Sequence, residues 1–399
     1  MSISSTQAST STKRGGFLLL ASILLLAATL RAPITSLGPV LLDVQHALGF
    51  NASAAGLLHA LPLIFFAVIS LVAPGLGRKM GIARAIGLAL TLISVGTIFR
   101  SLPIPGAIWI GTALLSSGIA ICNVLLPGYV KQRYGESGPS VIGLYVASMA
   151  ILAGLATGLS VPISLIPGLD WRWSIGCWAL PALVALLLWL PQLRNRQPSH
   201  QVKSSASSPA KSPWASSKGW QVAAFFALHS VVFYCVIDWY TASTASSDFS
   251  PAMAGLLLMI YQVVSTAANI VTGPALRRMA DQSWMGLGCG LVMVAGATGL
   301  ILKPEWSLVW IVLLGLGAGV SMVMSISLFG LRTRTPDQAA RLSGMAQFVG
   351  YTVAGLGQLA VGMLHMASDS WVGLLSLMLV ACVGVMIFAF LAGRKGYVE

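Results

Sequence analysis

Stretches of roughly twenty residues with almost no charge recur along this 399-residue chain, and they leave it very few possible folds. The first shows the type: Phe17 to Leu30 holds fourteen residues without an ionisable side chain. A run of about 20 apolar residues matches a helix crossing a bilayer and far exceeds strand length. Twelve runs can be marked, at approximately 16–42, 52–76, 82–101, 105–129, 140–162, 172–191, 220–243, 252–275, 284–302, 306–330, 340–364 and 370–392. Only 8% of the residues are charged, against about 25% in soluble domains, too few to cover a surface facing water. In hydrocarbon the backbone must bond to itself, and a helix does so within one segment. The runs therefore predict an all-α membrane protein with twelve transmembrane helices.

The charge that remains is strongly basic, net +13, but its placement argues against a nucleic-acid partner. With the N-terminus in the cytoplasm, nineteen Lys and Arg fall on the inner side, among them Lys13, Arg14, Arg78, Lys79, Lys131, Arg133, Arg277, Arg278, Arg332 and Arg334. Arg100, Arg172 and Lys303 fall on the outer side. That asymmetry is the positive-inside pattern, so the charge reports topology, with both termini cytoplasmic. Residues 1–15, polar and rich in Ser and Thr, read as a cytoplasmic tail before an uncleaved first helix. Five scattered cysteines with no CxxC or Cys/His cluster predict free thiols, with no metal and no cofactor.

Residues 192–219 are rich in Ser, Pro and Lys, without apolar period, and read as a flexible cytoplasmic linker. They divide six runs (16–191) from six runs (220–399), and the halves echo each other. Arg78-Lys79-Met80 matches Arg277-Arg278-Met279 at an offset of 199, as does FNASAAGLL against FSPAMAGLL. Further on, Gly118, Lys131, Arg133, Gly143 and Gly154 meet Gly319, Arg332, Arg334, Gly344 and Gly355 at an offset of 201. A nearly constant offset across several helices predicts two pseudo-symmetric six-helix bundles. Two such bundles share a seam, and rocking them opens a midplane site first to one side and then to the other. Gly154xxxGly158 and Gly315xxxGly319 offer faces on which backbones can approach closely.

A transporter of that design needs polar groups inside the membrane, and these are few. Arg31 lies about 15 residues into the first span, about 22 Å from its start, with Pro33 just beyond. Such a buried arginine costs about 2.5–3.5 kcal/mol. It is explained most simply by a wet central cavity where the guanidinium holds an anion or a planar polar group through two parallel hydrogen bonds. The repeat maps Arg31 onto Ser230, next to His229; the repeat alone does not choose between them, and the imidazole has the greater need of a partner. Asp238, the one carboxylate in a span, is the candidate proton carrier or gate, with His59 as a second titratable group. Gln347, Tyr351 and Gln358 recur on one helical face, Tyr261 and Ser265 on another, and Gln262, Thr266 and Asn269 on a third. With Asn123, these faces either line the pore or join helices. Phe66 and Tyr351 are among the aromatics that could stack on a planar solute, whereas Trp171, Trp173 and Trp306 read as interfacial anchors.

The stretches LRAPITSLGPVLLD, GLLHALPLIFFAVISLVAP, FRSLP, GIAICNVLLPGYVKQRY and LRTRTPDQAARLSGMAQFVGYTVAGLGQ together resemble the cyanate permease family of the major facilitator superfamily, and most of all its nitroimidazole-transporter branch. The resemblance spans nearly the whole chain apart from the tail and the linker. It implies a bacterial inner-membrane permease, monomeric, for a small planar solute, anionic or nitrogen-containing. It also makes Arg31 the family's first-span arginine. Arg78, Lys79, Gly81, Arg277 and Arg278 then occupy the superfamily's loop signature, with Arg78 where the usual aspartate would stand. Secondary transport, with protons as the expected coupling ion, is the leading function. Drug efflux and uncoupled permeation are alternatives on the same fold. An intramembrane enzyme is disfavoured because HExxH, GxSxG, paired carboxylates and a P-loop are all missing.

Overall fold

The computed structural model describes residues 4–194, 212–240, 251–368 and 371–399, and every regular element among them is helical. In chain order these are α1 (Ser4–Ala28), α2 (Ala32–Thr35), α3 (Leu41–Leu48), α4 (Ala52–Met80), α5 (Ile82–Arg100), α6 (Ala107–Tyr134), α7 (Gly138–Ser164), α8 (Trp171–Gly176), α9 (Ala179–Arg194), α10 (Ser217–Tyr234), α11 (Pro251–Arg278), α12 (Ser283–Leu302), α13 (Ser307–Leu331), α14 (Pro336–Ser368) and α15 (Val372–Gly393). A π-helical turn, Cys235–Trp239, follows α10. Ten stretches of the described residues are long and apolar enough to cross a membrane, one of which, Ala107–Ser164, contains both α6 and α7. Most of the expected linker, 195–211, lies outside the described residues.

The chain divides into two compact units. One comprises Met1–Pro62, Met80–Cys122 and Ser148–Lys203; the other comprises Leu63–Lys79, Asn123–Ala147 and Ser204–Glu399. In the first unit the core gathers around the segment that follows the break in the first span. Leu37, Val40, Val44 and Leu58 pack with Ile108, Trp171 and Ile175, and Ala32 packs with Ala156 and Trp178. Trp171 is therefore a core residue and not the interfacial anchor expected of it, because α8 turns its ring inward. Trp173 and Trp306 are exposed. The Trp189 indole N–H donates to the Ala83 carbonyl at 2.8 Å and ties α9 to α5.

In the second unit, glycines set how closely helices cross. A Cβ on Gly143 of α7 would stand 2.6 Å from the Asn269 carbonyl oxygen, beside Gly273 of α11. A Cβ on Gly344 of α14 would stand 2.6 Å from the Ser70 carbonyl oxygen, beside Pro74 of α4. Only a residue without Cβ fits at such separations. Gly143 pairs with Gly344, and Pro74 with Gly273, at the offsets of 201 and 199 found in the sequence, so both crossings use repeat-equivalent positions. Gly315 and Gly319 likewise lie against Tyr261 and Ser265. Gly154 and Gly158 do not behave as expected, since a Cβ on either would meet nothing within 4 Å. α7 buries Ala153 and Ala156 instead. One residue is about 100° of helix, so the glycines fall on another face.

The C-terminus is stitched to this unit. The Val398 amide donates to the Arg332 carbonyl at 2.8 Å, Glu399 pairs with Arg334, and the Arg334 guanidinium lies over the Tyr397 ring. Arg332, counted among the inner-side charges, is buried. Its Nε donates to the Ala392 carbonyl at 2.8 Å, and its Nη2 reaches Gly393 and Gln282. Burial lowers its pKa, partly offset by the nearby Asp281. The charge is retained because the orphan carbonyls at the end of α15 are strong acceptors and favour a cation.

Candidate functional site

The first span breaks where Arg31 stands. α1 ends at Ala28, and Arg31 caps the short α2 with φ −122° and ψ −37°, outside the helical well. Pro33 explains the break: it has no N–H for the Thr29 carbonyl, and its ring disfavours helical geometry in the residue before it. The Arg31 carbonyl accepts from the Ile34 and Thr35 amides at 2.9 and 3.0 Å, which restarts the helix. Pro39 repeats the effect by leaving the Thr35 carbonyl without its usual donor. The Arg31 side chain is half-buried.

Side chains from neighbouring helices take up the freed carbonyls. Thr157 Oγ1 donates to the Thr35 carbonyl and Ser160 Oγ to the Ser36 carbonyl, at 3.4 and 2.9 Å, and Thr35 Oγ1 returns a bond to Ala153 at 3.1 Å. The deepest contact comes from Arg100. Its Nη2 donates to the Pro33 carbonyl at 2.5 Å, to Ser36 Oγ at 3.3 Å and to the Ile175 carbonyl at 3.2 Å. Arg100, counted among the charges of the outer side, is 1% exposed and so lies within the packing of the protein. It ends α5 facing inward, because a long flexible stem can carry a guanidinium to the Pro33 carbonyl, whose usual donor, the Leu37 amide, bonds Ile34 instead. Among the described residues no carboxylate pairs with it. Sequence reasoning missed this residue; Pro33 and Pro39 mark the broken segment that it reaches, although the carbonyls they strip of donors are those of Thr29 and Thr35.

The second unit holds another polar group. Gln347 is buried on α14 and donates from Nε2 to the Asn123 carbonyl at 2.9 Å and to Ser343 Oγ at 2.8 Å. Among the described residues its Oε1 has no donor. One turn further, Tyr351 meets Phe66 and Phe226, with ring centroids 5.1 and 5.9 Å apart. Tyr261, Asn269 and His229 are buried and Gln262 half-buried. Ser230, the repeat equivalent of Arg31, donates to the Phe226 carbonyl at 2.8 Å, one turn back on its own helix. The structure thus brings Asn123, Gln347 and Tyr351 onto adjoining helices of one unit; Arg31 belongs to the other. His59 is exposed on α4. Asp238 lies in the π-helical turn, and its side chain is outside the described residues. Among the described residues, no group of His, Cys, Asp or Glu could hold a metal ion.

Of the loop residues, Gly81 makes a one-residue turn between α4 and α5 at φ +88°, a conformation that costs a side chain dearly. Arg78, Lys79, Arg277 and Arg278 are exposed at helix ends. The polar tie at this level of the second unit is made by Lys131. Its Nζ donates to the Gly330 carbonyl at 2.6 Å and to the Thr333 carbonyl and hydroxyl, capping the end of α13.

Comparison with known proteins gives this geometry a context. The family model described as Major Facilitator Superfamily matches residues 17–358. An uncharacterized transporter of Bacillus subtilis, YycB, is 37% identical over 384 residues, 96% of this chain and 95% of the relative. The 2-nitroimidazole transporter of Escherichia coli is 36% identical over 382 residues, 94% and 95% of the two chains. The cyanate transport protein CynX of the same organism is 27% identical over 353 residues, 88% and 90%. In fold, the chain resembles the proton:xylose symporter XylE, with a TM-score of 0.77 at 11% identity and 94% of each chain covered. It also resembles FucP in its outward conformation, with a TM-score of 0.75 at 14% identity and 95% and 99% covered. A helical, multi-pass membrane protein with relatives of this kind transports solutes and is not an enzyme: the chain belongs to the Major Facilitator Superfamily, on the branch that contains the 2-nitroimidazole transporter.

Proposed function

We propose that this protein is a secondary transporter that carries a small planar solute, anionic or nitrogen-containing, across a bacterial inner membrane by alternating access coupled to protons. The observation that carries the reading is a first span broken at an arginine, in a chain closely related to a transporter of a flat nitrogen heterocycle. Twelve spans form two six-helix bundles, 16–191 and 220–399, joined by the linker 192–219. The tail 1–15 and both termini are cytoplasmic, and the protein works as a monomer. Arg31 offers a planar fork of N–H donors that matches the two oxygens of a nitro group through two parallel bonds, and its charge can hold one end of linear cyanate. Asn123, His229, Tyr261, Gln262, Gln347 and Tyr351 complete the solute's surroundings. The Gln347 Oε1, which has no donor among the described residues, is an acceptor suited to a ring N–H. Asp238 carries the coupled proton, with His59 as a second titratable group. The clasp of Lys131 on the end of α13 belongs to the state closed on that face and must open when the site turns inward; the exposed arginines of the loop signature act with it.

The reading is tested in proteoliposomes. Radiolabelled 2-nitroimidazole and cyanate are each offered with and without an imposed pH gradient. Accumulation that follows the gradient in the wild type, is lost in Asp238→Asn and weakens at least tenfold in affinity in Arg31→Ala supports it. Gradient-driven accumulation that survives in Asp238→Asn excludes that residue as the proton carrier. Affinities unchanged in Arg31→Ala exclude the arginine as the solute contact.

A further inference from the structure

We infer that Arg100 is a positioning residue for solute binding: it holds the broken first span in the one conformation that presents Arg31 to the solute. The inference rests on the reading of Arg31 as the solute contact, and extends it to a second arginine on another helix. Three observations carry it. Arg100 is almost completely buried, yet among the described residues its hydrogen bonds go to the neutral oxygens of Pro33, Ser36 and Ile175 and to no carboxylate. A cation removed from water without a counter-charge is costly, so its retention calls for a role beyond packing. The first of its acceptors, the Pro33 carbonyl, lies two residues after Arg31 in the segment where the helical ladder is interrupted. Pro33 and Pro39 withdraw the amides that would bond the Thr29 and Thr35 carbonyls, so the segment is one short turn, held internally by the Ile34 and Thr35 amides on Arg31, the Ser36 amide on Ala32 and the Ser36 hydroxyl on Pro33. The same segment is gripped from α7 by Thr157 and Ser160, and Ser174 passes a further bond to the Ser160 carbonyl at 2.7 Å. Donors on α5 and α7 thus converge on a stretch four residues long, and Arg100 also ties it directly to α8 through Ile175.

A planar bidentate contact tolerates little misplacement, so loosening this stretch should weaken solute binding before it affects the rocking of the bundles. Arg100→Gln removes the charge and the fork; Arg100→Lys keeps the charge and loses the fork. Two measurements on the full-length protein decide the matter. Hydrogen exchange, read without any solute, reports amides 34–37. Proteoliposome transport of cyanate and of 2-nitroimidazole reports KM and Vmax. The expected result in Arg100→Gln is exchange at least tenfold faster in that stretch, with α10 to α15 unchanged. KM should rise at least tenfold for a transported probe while Vmax per folded protein stays within about threefold. Arg100→Lys should recover most of both effects, and it serves as the deciding variant if Arg100→Gln does not fold.

Unchanged exchange at 34–37 overturns the inference, as does a fall in Vmax with KM constant. Arg31→Ala separates the two claims. If it raises KM and Arg100→Gln does not, the positioning role fails and the solute contact stands. If it leaves KM unchanged, the reading of Arg31 fails and takes the solute-positioning role of Arg100 with it.

Discussion

Two arginines near one proline have opposite duties. Arg31 sits at the break, half-buried, with its backbone restarting the helix. Arg100 is sunk into the packing and spends its donors on backbone carbonyls of the broken segment and of α8. A hydrogen bond to a charged group contributes about 1.5–3 kcal/mol, so loss of the Arg31 fork should weaken 2-nitroimidazole binding roughly ten- to hundredfold. Arg31→Lys should recover only part of that, because an ammonium cannot offer two parallel bonds to a planar group. Titration of purified variants by thermal shift checks both; a full recovery by lysine would mean that charge alone, without the fork, is what the solute senses. At this scale the sequence was partly legible. Arg31 stands out as a charge where apolar residues surround it. Arg100 does not, because it lies at a helix end, where charges are ordinary, and only the fold reveals that it faces inward.

Among the helices, close packing depends on which glycine meets which backbone. Gly344→Ala would drive a methyl group to 2.6 Å from the Ser70 carbonyl oxygen and 2.9 Å from Pro74 Cγ. Neither neighbour can yield without moving a helix, so the substitution should cost about 1–3 kcal/mol, with Gly143→Ala costing a similar amount. Gly154→Ala meets open space and should leave stability within about 0.5 kcal/mol. Thermal unfolding followed with a thiol-reactive dye in detergent compares the three. Equal melting temperatures for Gly344→Ala and Gly154→Ala would show that the tight crossing adds nothing. The GxxxG spacing is the same at 154–158 and 315–319, and only the second pair is in contact. Spacing places small residues on a helix face, and it is silent about what lies opposite that face.

For the molecule as a whole, the clasp of Lys131 and the docked C-terminus act on one loop. Lys131 holds Gly330 and Thr333, Val398 bonds to Arg332, and Glu399 pairs with Arg334. Lys131→Gln should shift the conformational equilibrium away from the state seen here by about 1.5–3 kcal/mol, a ten- to hundredfold change in population. The readout is the labelling rate of a cysteine placed at Gly330, a position that the clasp covers, in an otherwise cysteine-free protein. An unchanged rate would mean that the helix crossings hold this conformation by themselves. Removing residues 394–399 should produce a smaller shift in the same direction, because the loop loses its brace and keeps its lysine. Asp281 also contributes: bonds from the Ser283 hydroxyl and amide, and from the Lys395 amide, hold its carboxyl below the usual range. Its hold on the tail is therefore present at neutral pH and is lost only as pH falls through that lowered value.

By itself the sequence determined that this chain is helical, that it lives in a membrane, and that its two halves echo each other. Hydropathy over twenty residues and a constant repeat offset are local or nearly local properties, and no partner is needed to read them. Its family was legible for the same reason, from stretches spread along almost the whole chain. Only the tertiary structure decided which charges are buried, which glycines touch, and which donors answer the carbonyls that Pro33 and Pro39 leave open. Those outcomes depend on the rotation of each helix about its own axis, and that rotation is set by the neighbours it packs against.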